Sequence, residues 1–349
     1  MGPFPLGRTL DRAGRGGVTG LSELYASLLQ PAELESATAR IFSVLPIGGR
    51  PGYFVGRGVN DEPALLIEIR GRARAPIALK NLLVTFNTPC ALKVDREQRD
   101  TCAVVIECRA TDSELQNYFL IITDHLLDRL GPAPNTDQVA AAIDALVSLF
   151  QKLSRSPRRE AQGLFGELLV IATASDPAAL LNAWHTDPLD RFDFIFPNSR
   201  LEVKTNANRQ RRHEFSFEQC NPPVDASATV VSLFVETAGG GLSLNVLVER
   251  IEARLGSRPE LILKLHSVLA DTLGTGLLEG LSQRFDEQLA LSSLAFYDLS
   301  TIPAVRDPLP PGVTAVRFRS EFGALVPLDS QELERTIPGL IVPRGSRRG

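Results

Sequence analysis

The segment that most constrains this chain is Asp193-Phe-Ile-Phe, a short turn at Pro197-Asn198-Ser199, and Leu201-Glu-Val-Lys-Thr205. It reads as two adjacent β-strands. Side chains alternate between the two faces of a strand, so Leu201, Val203 and Thr205 point one way and Glu202 and Lys204 the other. In the preceding strand Phe192, Phe194 and Phe196 are expected to share a face, leaving Asp193 opposite them. Two carboxylates and a lysine would then meet on one side of a sheet whose other side is apolar.

Around this pair the pattern alternates helix and strand. A helix is expected to start at Pro157 with Ser156 as its cap, carrying Ala161, Leu164, Phe165, Leu168 and Ala172 at helical spacing. A linker containing Trp184 follows, then the two strands, with His213–Phe215 extending the sheet. Ser216-Phe-Glu-Gln219 has capping-box spacing. Ala228–Glu236 reads as a β-branched strand, Gly239-Gly-Gly241 as a turn, and Leu244–Leu255 and Pro259–Leu273 as amphipathic helices. Upstream, a short helix is expected over Leu21–Leu29. Strands are expected at Ala64–Arg70, Ile77–Phe86, Ala91–Val94 and Ala103–Cys108, and helices at Ser113–Leu130 and Gln138–Leu153. Downstream, strands are expected at Leu289–Leu299 and Val313–Phe318 and a helix at Ser330–Thr336. The domain reading is a disordered tail (1–20), a β-rich domain (21–130), a mixed α/β core (131–275) and a C-terminal β-rich region with a loose basic tail (276–349).

Composition narrows the setting. At 349 residues, 44% hydrophobic and 22% charged, the chain can bury ordinary cores. A net charge of -4 means that contact with a polyanion must be local. No uninterrupted apolar run reaches the ~18–20 residues of a membrane span, and the first residues lack the apolar stretch of a secretion signal. Four dispersed cysteines without a C-x-x-C pair suit free thiols in a reducing cytoplasm.

Chemically, Asp193 and Glu202 suit Mg²⁺ or Mn²⁺, which prefer carboxylate oxygens, and Lys204 would lie beside a metal-bound water and stabilise developing negative charge. The upstream helix holds two glycines, Gly163 and Gly166, each costing roughly 1 kcal/mol relative to alanine. That suggests a close approach to the sheet or to a ligand. Beside its apolar stripe, Glu167 is placed to lean over the same sheet edge. Arg200, Arg209, Arg211 and Arg212, with Arg155, Arg158 and Arg159 at the start of that helix, make a local basic surface suited to a nucleic-acid backbone. His213 alternates with Phe215 and reads as a core histidine ahead of a catalytic one, Trp184 as core packing, and Gln219 equally as a capping partner or a site group.

These residues resemble a known family. Asp193, Glu202-Val-Lys204 and a helical Glu167 resemble the PD-(D/E)XK nuclease superfamily, with its restriction-endonuclease-like fold. More narrowly, Gly163-Leu-Phe-Gly-Glu167-Leu-Leu, Trp184, Asp193-Phe, Glu202-Val-Lys204-Thr and His213-x-x-Ser216-x-x-Gln219 are similar to a family of PD-(D/E)XK proteins associated with restriction and phage-defence systems. The resemblance is densest over residues 150–255. It implies a mixed α/β fold and a Mg²⁺- or Mn²⁺-dependent DNA endonuclease. In it Asp193, Glu202 and Glu167 would hold metal, Lys204 would be catalytic and Gln219 accessory. DNA is the implied partner, alongside other defence proteins, and a homodimer would let two sites cut both strands. The alternative is a catalytically inactive subunit that uses the same fold to bind DNA or proteins. The chain departs from the family name at Phe192, where a proline would precede the aspartate.

Overall fold

The computed structural model describes residues 20–31, 40–69, 74–94, 97–131, 134–158, 160–185, 190–222, 226–306, 308–337 and 339–340. All but the last residue of the expected 1–20 tail, and the basic tail at Arg344–Arg348, lie outside them. The chain divides into two compact units, Met1–Phe150 and Gln151–Gly349, where the sequence reading places boundaries after residues 130 and 275.

In the first unit α1 (Leu21–Ser27) precedes β1 (Arg40–Pro46), β2 (Tyr53–Arg57), β3 (Pro63–Ile67), β4 (Ile77–Ala78), β5 (Leu82–Val94) and β6 (Glu97–Cys108), followed by α2 (Ser113–Leu130) and α3 (Thr136–Lys152). The strands run in the order β1-β2-β3-β6-β5-β4, and β1 also pairs with β5. That last pairing is parallel, the others antiparallel. A ring of five strands cannot alternate direction throughout, so one parallel pair closes it. Closure removes the two free edges that an open sheet would expose. Phe42, Val44, Phe54, Leu66, Leu92 and Val105 belong to one buried cluster of these strands. Asp112 caps α2 through the backbone N–H groups of Glu114 and Leu115, and Gly131 ends it at φ 71°.

The second unit contains α4 (Ala161–Thr173), α5 (Pro177–Ala183), β7 (Phe194–Ile195), β8 (Ser199–Asn206), β9 (Arg212–Ser216), α6 (Phe217–Cys220), β10 (Ser227–Phe234), β11 (Thr237–Ser243), α7 (Leu244–Leu255), α8 (Pro259–Leu273), α9 (Leu277–Ser282), β12 (Arg284–Phe285), α10 (Glu287–Ser293), β13 (Ala295–Asp298), β14 (Arg317–Glu321) and α11 (Ser330–Thr336). Its main sheet is mixed, β13-β10-β8-β7, with β8 parallel to β10 and antiparallel to β7. On one face α4 lies against β8 and α7. Phe192, Phe215, Cys220, Val230, Tyr297 and Phe322 form a separate buried cluster. The expected mixed sheet flanked by helices is therefore present.

Several elements differ from expectation. The fourth helix begins at Ala161, not Pro157, and Glu160 in its cap position makes no side-chain cap bond. The backbone N–H of Arg158 instead donates to Thr272 O. The stretch read as a linker contains α5, started by Asp176, which accepts from Ala178 N and Ala179 N, with Pro177 in its first turn. Gly239–Gly241 lies inside β11 rather than in a turn. A Cβ on Gly241 would fall well inside 3.0 Å of the Phe285 carbonyl, so glycine there permits strand-to-strand approach. The expected strand at Leu289–Leu299 is a helix, α10, capped by Asp286, followed by the shorter β13. The strand expected at Val313–Phe318 begins at Arg317. Strand β9 forms but pairs with β14, not with the main sheet. Among the described residues one helical run, Pro259–Ser282, is long and apolar enough to span a membrane by length and composition, and 56% of its most apolar window is buried in the protein. Leu261, Ile262, Leu265, Val268 and Leu269 of α8 are among its buried residues, the pattern of a core helix.

Candidate functional site

Glycine lets α4 come close to the sheet. A Cβ at Gly166 would collide with the Thr205 Cγ2 methyl and press on Val203 Cγ1, both on β8. At Gly163 a Cβ would meet nothing within 4 Å, so packing requires only the second glycine. The close approach carries the next residue, Glu167, into the interior, where it is 5% exposed. A buried carboxylate needs hydrogen bonds or a cation. Glu167 Oε2 accepts one from Trp184 Nε1 at 2.7 Å. The indole is itself buried and stacks on Phe194 with centroids 6.4 Å apart. Trp184 is thus a core residue, as expected, and also holds a candidate ligand in place.

Trp184 forms an antiparallel bridge with Phe194. One step further, the His185 N–H donates to Asp193 O at 2.9 Å. These pairings gather three donors. Ligand atoms of Glu167, His185 and Asp193 all lie within 4.8 Å of one another. Asp193 is buried, and its Oδ2 accepts from Val203 N at 2.7 Å. That bond fastens it to the backbone between Glu202 and Lys204.

Glu202 and Lys204 leave β8 from the face opposite Val203 and Thr205, and hence opposite α4. Glu202 Oε1 meets Lys204 Nζ at 2.7 Å and accepts from Gln219 Nε2 at 2.8 Å. Gln219 serves both of its expected roles at once. Its Oε1 accepts from Ser216 N, completing the capping box, while its Nε2 holds Glu202 and also donates to Arg191 O. The Lys204 ammonium lies 5.1 Å from the centroid of the Phe215 ring. Lys204, Asn206, Arg212, His213 and Arg319 are among the residues lining a cleft of about 470 Å³.

Of the expected ligands Asp193, Glu202 and Glu167, the fold brings Asp193 and Glu167 together and sets Glu202 apart. Among the described residues, no group within the 4.8 Å spacing includes Glu202, whereas His185 joins one. The cause is local. Residues 191–193 form a bend and the strand begins only at Phe194, so the expected alternation stops short. Phe192 belongs to the buried cluster that holds Phe215 and Tyr297, while Phe194 stacks on Trp184. His185 carried no sequence signal beyond its place beside Trp184.

The basic residues are largely engaged with protein groups. Arg200 donates to the carbonyls of Phe196 and Ser199. Arg211 donates to the carbonyls of Ser232 and Ser293 and lies over the Phe234 and Tyr297 rings, so its guanidinium is a structural clamp rather than part of a bare basic surface. Arg209 pairs with Glu236, Arg212 with Glu321, and both Arg155 and Arg158 with Asp271. Arg159 lies outside the described residues.

His213 is the core histidine expected. It is buried, with Nε2 2.8 Å from Ser232 Oγ. Burial first, then the nearby Lys204 and Arg211 charges, push its pKa down to about 4. The folded state thus holds this ring neutral where the unfolded chain, near 6.5, takes up a proton. Its contribution is complete above that value and is lost as pH falls through the window from about 6.5 to 4, amounting to on the order of 3 kcal/mol. Thermal midpoints at neutral pH and at pH ~4.5 should therefore fall further in the wild type than in His213→Gln. Parallel losses would remove His213 as the sensitive group.

A family model described as "Putative PD-(D/E)XK family member (DUF4420)" matches residues 23–322. No curated protein and no solved structure matches the chain.

Proposed function

Because the chain belongs to this PD-(D/E)XK family, we propose that it is a metal-dependent DNA endonuclease built on Glu167, Asp193, Glu202 and Lys204. The supporting observation is the convergence of buried Glu167 and Asp193 with His185 within 4.8 Å, tied through Val203 N to the strand that presents Glu202 and Lys204. Carboxylate and imidazole donors at this spacing fit a divalent ion.

Mg²⁺ or Mn²⁺ held by Glu167 and Asp193 would act as Lewis acid on a phosphodiester and lower the pKa of a bound water. The chain's own groups do the rest. Trp184 fixes the rotamer of Glu167. Gln219 and Lys204 share Glu202 Oε1, so the amide and carboxylate hold the ammonium in a fixed place beside the cleft. There Lys204 would meet a phosphate of a strand lying in the cleft, on the face of β8 away from α4. Arg212 and Arg319 line the same cleft and are positioned to contact the DNA backbone. For the exposed Arg209, Arg212 and Arg158, phosphate would compete with the carboxylate partner. We place this activity in restriction or phage defence on the family resemblance. We place it in the cytoplasm on the sequence's four dispersed cysteines, which suit a reducing compartment.

The test is cleavage of supercoiled plasmid by purified protein with Mg²⁺ or Mn²⁺. Asp193→Asn should lower the rate at least ~100-fold. Undiminished cutting by that variant would reject the assignment. DNA binding without any metal-dependent cutting by the wild type would instead favour the non-catalytic subunit.

A further inference from the structure

We infer that His185 is itself a metal ligand, so that the centre is a mixed nitrogen–oxygen site selecting Mn²⁺ over Mg²⁺. The inference rests on the metal-dependent reading above and specifies the ion. Three placements support it. The imidazole is the third donor of the one group that gathers Glu167 and Asp193 within 4.8 Å. The backbone bond from His185 N to Asp193 O, beside the Trp184–Phe194 bridge, keeps the histidine next to the aspartate. Glu202, the carboxylate that would otherwise complete an all-oxygen set, is bound at Oε1 by both Lys204 and Gln219 and lies outside that spacing.

Donor chemistry then sets the preference. Mg²⁺ demands oxygen ligands and gives up water reluctantly. Imidazole suits first-row transition metals, and Mn²⁺, the weakest binder of that series, shares the carboxylate and water preference of Mg²⁺ while tolerating a nitrogen donor better than Mg²⁺ does. Replacing an oxygen donor by imidazole therefore penalises Mg²⁺ more than Mn²⁺.

The experiment is metal binding by the full chain without DNA. Mn²⁺ is followed by loss of the free-ion electron paramagnetic resonance signal, and Mg²⁺ by competition. The wild type should bind Mn²⁺ at least ~tenfold more tightly than Mg²⁺, and His185→Gln should weaken Mn²⁺ at least ~tenfold and collapse the ratio. His185→Asp, which restores an oxygen donor, should bind Mg²⁺ better than the wild type does. Asp193→Asn should weaken both ions. If His185→Gln keeps the Mn²⁺ affinity and the ratio while Asp193→Asn loses both ions, the histidine is not a ligand and the nuclease reading stands. If the glutamine variant does not fold, the aspartate variant decides, and an unchanged Mn²⁺ preference there overturns the inference. Failure of the wild type to bind either ion overturns the inference and the metal-dependent reading together.

Discussion

Lys204→Ala is expected to slow DNA cleavage by about 10²–10³-fold, the usual effect of removing one charge-stabilising group from a hydrolytic site, while the protein stays folded. The ammonium makes its ion pair at the wall of the cleft. It is partly exposed, at 19% of its side-chain surface, and faces the cleft. Glu202 keeps its bond from Gln219 when the lysine is gone, so one partner of this buried acid survives. Lys204→Arg should not restore the rate, because a planar fork cannot occupy the position of a compact ammonium between Glu202 and the Phe215 ring. Initial cleavage rates, read beside thermal midpoints and DNA binding, separate these effects. A variant that cuts at the wild-type rate would remove Lys204 from the chemistry.

Gly166→Ala is expected to destabilise the second unit by about 1–3 kcal/mol, the typical effect of adding a methyl group to a packed interface. For a unit of this size, each kcal/mol lowers the melting temperature by about 2–4 °C. The clash is with Thr205 Cγ2, on the stiff side chain of a β-branched residue that cannot swing away. Thr205→Ser removes that methyl and should recover most of the loss in the double variant. Gly163→Ala provides the contrast. Its Cβ enters open space, and alanine gains roughly 1 kcal/mol of helix propensity over glycine, so this variant should be neutral or more stable. Cleavage should also fall in Gly166→Ala, since any outward shift of α4 carries Glu167 away from Asp193. Equal melting temperatures for the two glycine variants would contradict the close approach of α4 to β8.

The contrast between these glycines shows how far the sequence could be read. A glycine pair inside a helical pattern signalled a close approach, but either residue could have made it. Similarly, Ser216 and Gln219 announced a capping box by their spacing, and the box is present. The other end of the Gln219 amide reaches Glu202, 17 residues away, which no local spacing encodes. The arginines around Lys204 looked like one basic surface. In the fold Arg211 turns inward to two carbonyls and two rings, and Arg209 and Arg212 find carboxylates on distant segments. Some local signals were present and missed. Asp176-Pro177 is a helix start, and Asp286 before a polar-apolar run is another.

By itself the sequence determined the periodic elements: α2, α7, α8 and α11 over the expected residues, and a β8 whose alternation parts Glu202 and Lys204 from Val203 and Thr205. These follow from 3.6- and 2-residue periods and from caps, which act within a few residues. Tertiary structure decided the parallel β1–β5 pairing that closes the ring of five strands, the pairing of β9 with β14, and the arrival of His185 beside Asp193. Each of these joins segments whose meeting depends on which buried faces and unpaired backbone groups are satisfied together. That choice is made by the whole packed chain, and no window of neighbouring residues contains it.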